Sequence, residues 1–349
     1  MKRISSIVLL FAFINSLAQD EKTIISTPKK EEPLPAKIFY SERTTVLNTN
    51  EIVAKGYMSF KVAHNFDDIA GTRGGPKSFF GLDNSTDVRI GFDFGLSDRL
   101  NLVAARAKGG GEPFGKIRVS QLYELGLKYQ LARQLENDPS HPIAITVYLN
   151  NVISAMNSNF AAPSKPPPFQ NQSNDTSLNQ ANTFHNWGDR SSQLIQAIFA
   201  RKAGKISLLA NLSFVHRGYV PLHDDQSMFA IGGTIKLPLT KSINLLLDYI
   251  HPFRSAESKD YFSKLDTTFY PALGNIDFNR VPFKFYDPLG IGFEFITEGH
   301  VFHLNFTNAT DILDNRLITS TASNWGKGQF RWAFSIARKF ALKKSKYYE

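Results

Sequence analysis

The sequence predicts an all-β protein: an antiparallel up-and-down transmembrane β-barrel of about 12 strands, with short periplasmic turns and long extracellular loops. Three observations predict it. The N-terminus has the pattern of an export signal, apolar residues recur with a period of two, and the links between segments alternate between short and long.

The export signal comes first in the chain. Met1, Lys2 and Arg3 give a positive start, Ile7 to Ile14 is continuously apolar, and Ser16-Leu17-Ala18 supplies small residues before Gln19. That order is a secretory signal peptide with cleavage expected after Ala18. Its apolar core is shorter than the roughly 20 residues a spanning helix needs, and no later run approaches that length. There is no cysteine, which excludes a disulfide scaffold, a thiolate metal site and a cysteine nucleophile. The formal charge of +9 is spread along the chain, so no nucleic-acid partner is expected.

The expected organisation is a signal peptide at 1–18, a flexible periplasmic leader at 19–50, a barrel at 51–340 and a tail at 341–349. The leader reading rests on Asp20 to Lys37, which mixes Lys, Glu, Thr and Pro with few apolar residues. The strands are expected near 57–66, 87–95, 99–107, 120–131, 142–151, 191–202, 205–216, 227–237, 242–251, 287–296, 299–307 and 328–340. Val88, Ile90, Phe92, Phe94 and Leu96 show the period clearly, as do Ile206, Leu208, Ala210, Leu212 and Phe214, and Phe330, Trp332, Phe334 and Ile336. Successive strand side chains point to opposite faces, so each segment has one apolar and one polar or small face.

Links after even-numbered segments are tight, such as Ala203-Gly204 and Thr297-Glu298-Gly299, with 132–141 intermediate. Links after odd-numbered segments are long, such as 152–190 and 252–286, with 217–226 the shortest of them. Outer-membrane barrels sort their loops by parity in this way, and a soluble sandwich has no reason to. Lipid offers no partner to backbone polar groups, so the strands must close on themselves. Phe66, Phe94, Tyr129, Tyr249, Tyr286, Phe306 and Phe340 near segment ends suit two interfacial girdles.

Several residues carry a resemblance. Phe79-Phe80-Gly81-Leu82-Asp83 followed by Val88 to Leu100 is similar to a strand–turn–strand of Bacteroidetes outer-membrane barrels. Gly299 to Asn308, Trp325 and the ending Phe334 to Phe340 resemble the DUF5777-type β-barrel proteins, over Thr45 to Phe340. The resemblance implies an outer-membrane barrel and brings no catalytic or ligand residues. Barrels of this kind usually end on an aromatic residue that the barrel-assembly machinery reads. Phe340 is the residue expected in that role, although Ala341 to Glu349 extends beyond it.

The expected site is the lumen. Arg89, Asp93, Glu124, Lys128, Lys236, Asp248, Glu294 and Arg331 all fall on the face opposite the apolar one. Charges of both signs there either pair across the interior and plug it, or line a water-filled path. No Gly-x-Ser-x-Gly turn is present, and no catalytic residue is assigned. No metal and no cofactor are expected. His223-Asp224-Asp225 reads as a polar loop tip, and His300 and His303 point to opposite faces of one strand. The expected partners are outer-membrane lipid, the assembly machinery and a small solute. The function these readings support is a passive channel or surface protein. The alternatives are a non-conducting barrel acting through its outer loops, a membrane enzyme, and a soluble periplasmic β-protein.

Overall fold

A computed structural model describes residues 33–110, 120–156, 187–218, 220, 224–264 and 284–342. The expected signal peptide, most of the expected loop at 152–190 and most of the C-terminal tail lie outside the described residues.

Twelve antiparallel strands close into a barrel in simple up-and-down order. They are β1 (Tyr57–Asp68), β2 (Ser85–Gly95), β3 (Leu100–Ala107), β4 (Leu122–Ala132), β5 (Ala144–Ser154) and β6 (Ser191–Ala203), then β7 (Ile206–Arg217), β8 (Ser227–Pro238), β9 (Ile243–Phe253), β10 (Leu289–Thr297), β11 (His300–Thr307) and β12 (Arg331–Ala341). Each matches one expected segment, with ends displaced by three residues at most. Closure is a continuous ladder from Tyr57 opposite Ala341 to Asn65 opposite Ala333, which removes both sheet edges. The tight turns use positive φ at Gly204 (61°) and Gly299 (85°), a conformation that costs glycine little.

The two faces are inverted relative to a soluble barrel. Outward-facing Leu125, Leu212 and Phe229 are 60%, 52% and 63% exposed, whereas inward-facing Lys128 and Gln196 are 2% and 0% exposed. An apolar exterior around a polar interior is the arrangement lipid requires. Of the aromatic residues expected in girdles, Tyr129, Tyr249 and Phe340 are exposed near strand ends. Tyr286 instead precedes β10, and its backbone N–H donates to Thr321.

The interior is filled by two segments the pattern did not place there. Residues 36–53, expected as flexible leader and the first residues of the barrel, form a hairpin with Ile38, Phe39, Leu47 and Val53 at most 1% exposed. The hairpin enters beside the short turn between β4 and β5, where Ala36 N–H donates to Gln134, and leaves where Gly56 N–H donates to Gly95. It therefore rises from the short-turn end and returns there. The connection between β11 and β12, expected as an outward loop, also turns inward. It carries α2 (Asp314–Ser320), whose Leu317 and Ile318 are 1% and 2% exposed. A second helix, α1 (Ala256–Ser263), follows β9. Ile38, Phe39, Val46 and Leu47 of the hairpin meet Leu194, Ile198, Met228 and Ile250 of the wall and Leu317 and Ile318 of α2 in one apolar cluster.

Candidate gate in the barrel lumen

The hairpin is held first by itself. Thr44 N–H donates to Leu47 (2.9 Å), Thr49 N–H to Glu42 (3.0 Å), and Lys37 pairs with Glu51 across the two arms. Its tip is Thr44 to Leu47, which β-propensity alone would not single out. The tip is held by Asp248 on β9, whose Oδ2 accepts from Thr44 Oγ1 (2.6 Å) and Val46 N–H (2.8 Å). Glycine makes room beside it. A methyl group on Gly232 would lie 2.9 Å from Leu47, and one on Gly290 would lie 2.6 Å from Thr45.

The wall presents polar groups to the hairpin's backbone. Ser207 Oγ donates to Ile38 (2.8 Å), Asn211 Nδ2 to Asn48 (3.1 Å), Gln130 Nε2 to Asn50 (3.2 Å) and Lys128 Nζ to Glu42 (3.3 Å). These bonds explain how a segment outside the strands can be buried, because its backbone polar groups find partners in the lumen.

The hairpin meets the inward-turned β11–β12 connection at one ion pair. Arg43 Nη2 lies 2.8 Å and Nη1 2.9 Å from the two carboxylate oxygens of Asp314. Arg43 also donates to the Ile312 carbonyl (3.0 Å) and to Asn48 Oδ1 (3.0 Å), and Asn48 Nδ2 in turn donates to Asp314. The Arg43 and Asp314 side chains are 8% and 2% exposed. A two-pronged guanidinium–carboxylate contact is among the stronger hydrogen-bonded arrangements, and burial makes loss of either partner costly.

On either side of this contact lies open space. At the short-turn end a pocket of about 290 Å³ is lined by Lys37, Glu51, Asp98, Gln130 and Arg133 among others. At the long-loop end a pocket of about 780 Å³ is lined by Asp67, Arg73, Asp83, Lys108, Thr310 and Arg331 among others. A separate cavity beside Arg43, Arg89 and Asp311 measures about 20 Å³, room for about one water.

The eight residues expected on the lumen face separate into distinct roles. Lys128, Lys236 and Asp248 hold the hairpin, Lys236 through its ammonium 4.5 Å from the centre of the Tyr40 ring. Arg89 and Glu124 pair across the wall (2.7 Å), and Glu124 also accepts from Tyr148 (2.7 Å) and Asn150 (2.6 Å). Glu294 accepts from Asn244 (2.7 Å) and lies 3.3 Å from His303 Nε2. Arg331 pairs with Asp68 (2.9 Å) and braces the β11–β12 connection through Ser323 and Asn308. Asp93 lies on the same face of β2, opposite Ser59 and Val103. Apart from Asp93, these charges are engaged in pairs or with the hairpin, the arrangement that the pairing alternative of the sequence reading expects. The sequence missed Arg43 and Asp314, which sit outside the strands, on the hairpin and on α2, where no period of two marks them.

The expected polar loop tip at Asp224 is a buried junction instead. Its side chain has no exposed surface, and it pairs with Arg217 (3.0 Å) and Arg254 and accepts from Ser258 Oγ (3.1 Å). Burial alone would raise the Asp224 carboxyl, but the two guanidinium groups outweigh it and hold it below the ordinary carboxylate range. His303 is buried while His300 is half-buried on the other face of β11. Among the described residues, no three His, Cys, Asp or Glu side chains are grouped to hold a metal ion.

A closed barrel with a lipid-compatible exterior and an occluded polar lumen defines a membrane-bound β-barrel protein. The chain belongs to the family described as membrane bound beta barrel domain (DUF5777), whose model matches residues 39–340 and so includes most of the hairpin. No curated protein matches it. Among solved structures it is similar to an outer membrane channel from Pseudomonas putida F1, at 10% identity and a TM-score of 0.43 over 83% of this chain and 98% of that one. It is also similar to the KdgM porin in complex with disordered oligogalacturonate, at 7% identity and a TM-score of 0.42 over 81% and 99%. Resemblance at this level says nothing of cargo.

Proposed function

We propose that the protein is an outer-membrane channel held shut by its own N-terminal hairpin. The signal-like N-terminus and the sorting of short turns to one end and long loops to the other support placing the short turns in the periplasm. The hairpin then enters from the periplasmic side and the β11–β12 connection descends from outside. The observation that carries the reading is the buried Arg43–Asp314 contact, which joins the hairpin to the β11–β12 connection inside a barrel that has a polar pocket at each end, of about 290 and 780 Å³. Opening requires the hairpin tip to leave Asp314 and Asp248, and the charged pocket linings suit a small polar solute. Phe340, in phase with Phe334 and Ile336 on β12, is the residue we assign to recognition by the assembly machinery.

Single-channel recording on the folded protein in a planar bilayer tests the gate. The wild type is expected to be closed for most of the record. A variant with residues 36–50 deleted is expected to conduct steadily. Silence from that variant, with its fold verified by resistance to SDS unfolding, would overturn the channel reading. It would favour a closed barrel acting through its outer loops, the reading to which the Asp224–Arg254 junction lends support by tying two of those loops together.

A further inference from the structure

The strands carry seven acidic residues, Asp67, Asp68, Asp87, Asp93, Glu124, Asp248 and Glu294, and none of them is exposed. Three arginines of the strands, Arg106, Arg201 and Arg338, are exposed. The exterior of the barrel is thus cationic wherever it is charged, although the lumen is mixed. A cation on the lipid face is tolerated near the interface and strongly disfavoured at the midplane. Such a cation calls for an anion at headgroup depth.

Arg106 satisfies that condition at the long-loop end. It is the last outward residue of β3, in phase with Leu100, Leu102 and Ala104. Its register partners are Ile90 on β2 and Tyr123 on β4, themselves 44% and 51% exposed. The guanidinium lies 5.4 Å from the centre of the Tyr123 ring, which orders it with its edge free. Lys108 continues the outward phase one step further and is exposed, with Ala107 and Gly109 buried on either side. Its ammonium donates to the Ser85 carbonyl (2.9 Å) and keeps two N–H bonds for another acceptor. Two cations one outward step apart, about 7 Å along the strand, stand above an apolar strip of leucine, isoleucine and tyrosine. No carboxylate of the described strands is exposed beside them, and the exposed acid that lines the same long-loop pocket as Lys108 is Asp83.

We propose that Arg106 and Lys108 form a binding site for the phosphate headgroup of a membrane lipid, whose acyl chains lie along Leu102, Ile90 and Tyr123. Arg106 forks onto two phosphate oxygens and Lys108 takes the third, the geometry that distinguishes a terminal phosphate from a neutral headgroup. Arg106 lies on the outer face of β3, and Lys108 stands at the rim, where it also lines the long-loop pocket; neither residue touches the Arg43–Asp314 contact.

The full-length protein, folded in an uncharged maltoside detergent, is titrated with phosphatidic acid while bound lipids are counted by native mass spectrometry. The wild type is expected to retain one phosphatidic acid at a concentration at least tenfold lower than the R106Q/K108Q variant needs. Diacylglycerol, which has the same chains without phosphate, should not be retained. Inorganic phosphate should not displace the lipid at equal concentration, because the apolar strip contributes. R201Q/R338Q, which removes the other exposed strand arginines, should bind as the wild type does. Equal retention by wild type and R106Q/K108Q would overturn the proposal. So would retention of diacylglycerol, displacement by phosphate alone, or an equal loss in R201Q/R338Q. Should the double variant not fold, the single variant R106Q is read by the same criterion.

Discussion

Arg43 and Asp314 lie 271 residues apart in sequence, and both carboxylate oxygens of one accept from the guanidinium of the other, at 2.8 and 2.9 Å. One residue belongs to a hairpin that rises from the short-turn end, the other to a helix that descends from the long-loop end. Neither is on a strand, so the contact can break without disturbing the barrel's backbone ladder. That separation is what a gate needs: the moving part is held by side chains and the wall by its own hydrogen bonds.

Removal of either partner therefore should open the channel. R43A leaves a buried carboxylate unpaired and D314A a buried guanidinium, each a loss of about 3–5 kcal/mol of docking. Both variants are expected to raise open probability in planar bilayers by tenfold or more. The R43A/D314A double variant should show a non-additive effect, with a coupling of about 1–3 kcal/mol. Additive effects, or closed records from both single variants, would count against the contact as the latch.

A covalent lock tests the same movement from the other direction. Thr45 Oγ1 at the hairpin tip lies 3.2 Å from Asn305 Oδ1 on β11, and the chain contains no cysteine. A T45C/N305C variant should therefore form one defined disulfide under oxidising conditions. Placed in an R43A background, it is expected to be silent when oxidised and to regain conductance within minutes of adding reductant. Conductance that persists in the oxidised protein would mean that ions do not pass where the hairpin sits.

The wall charges should behave differently from the latch. Glu124 accepts from Arg89, Tyr148 and Asn150, all of them on strands, and none of these contacts involves the hairpin. E124A strands the Arg89 guanidinium and should cost about 3–5 kcal/mol of barrel stability. The expected result is a lower midpoint temperature in heat-modifiability gels with closed-state records unchanged. A variant that opens at full stability would move Glu124 into the gate.

How much of this was legible in the sequence follows from where each residue sits. The strands were readable because lipid on one side and a polar lumen on the other impose a strict period of two, as in Val88 to Phe94. The lumen charges were readable from the same phase. Their engagement was not, because Lys128 and Asp248 bond to the hairpin, and the hairpin has no period. Its apolar pairs Ile38-Phe39, Val46-Leu47 and Ile52-Val53 are separated by Thr, Asn, Ser and Glu, residues that ordinarily stay in water. Inside a barrel the rule reverses, since Ser207, Asn211 and Gln130 replace water as partners. Asp314 was hidden for a related reason: loop length predicted an outer loop and carried no information on which way it turned.

The acid limit of the long-loop end should be set by Asp224. Its carboxyl lies below the ordinary range when folded, because Arg217 and Arg254 outweigh its burial. A depressed folded value means that the stabilisation is complete above the unfolded value near 4, and is lost as pH falls through the folded one. The junction of the β7–β8 loop with α1 should then resist pepsin at pH 4 and be cut at pH 2. D224N, which removes the charge, should be cut at both. Equal resistance of the two proteins at pH 4 would show that packing, not charge, holds this junction.

The last prediction concerns Gly292 on β10, which faces Thr45 of the hairpin tip. A methyl group there would lie 2.5 Å from Thr45 Oγ1 and in collision with Asn305 Oδ1. Valine at this position keeps the β10 backbone bonds and has a strong strand preference, and the wall group it meets is the amide end of the Asn305 side chain, which can turn aside, so the wall should tolerate it. The hairpin should not, because Thr45 has no room to seat and overpacking costs about 1–3 kcal/mol. G292V is therefore expected to conduct in bilayers while its heat-modifiability midpoint stays within a few degrees of wild type. The opposite pattern, a lower midpoint with closed records, would mean that the clash is absorbed by the strands, and that the tip is seated more firmly than the wall around it.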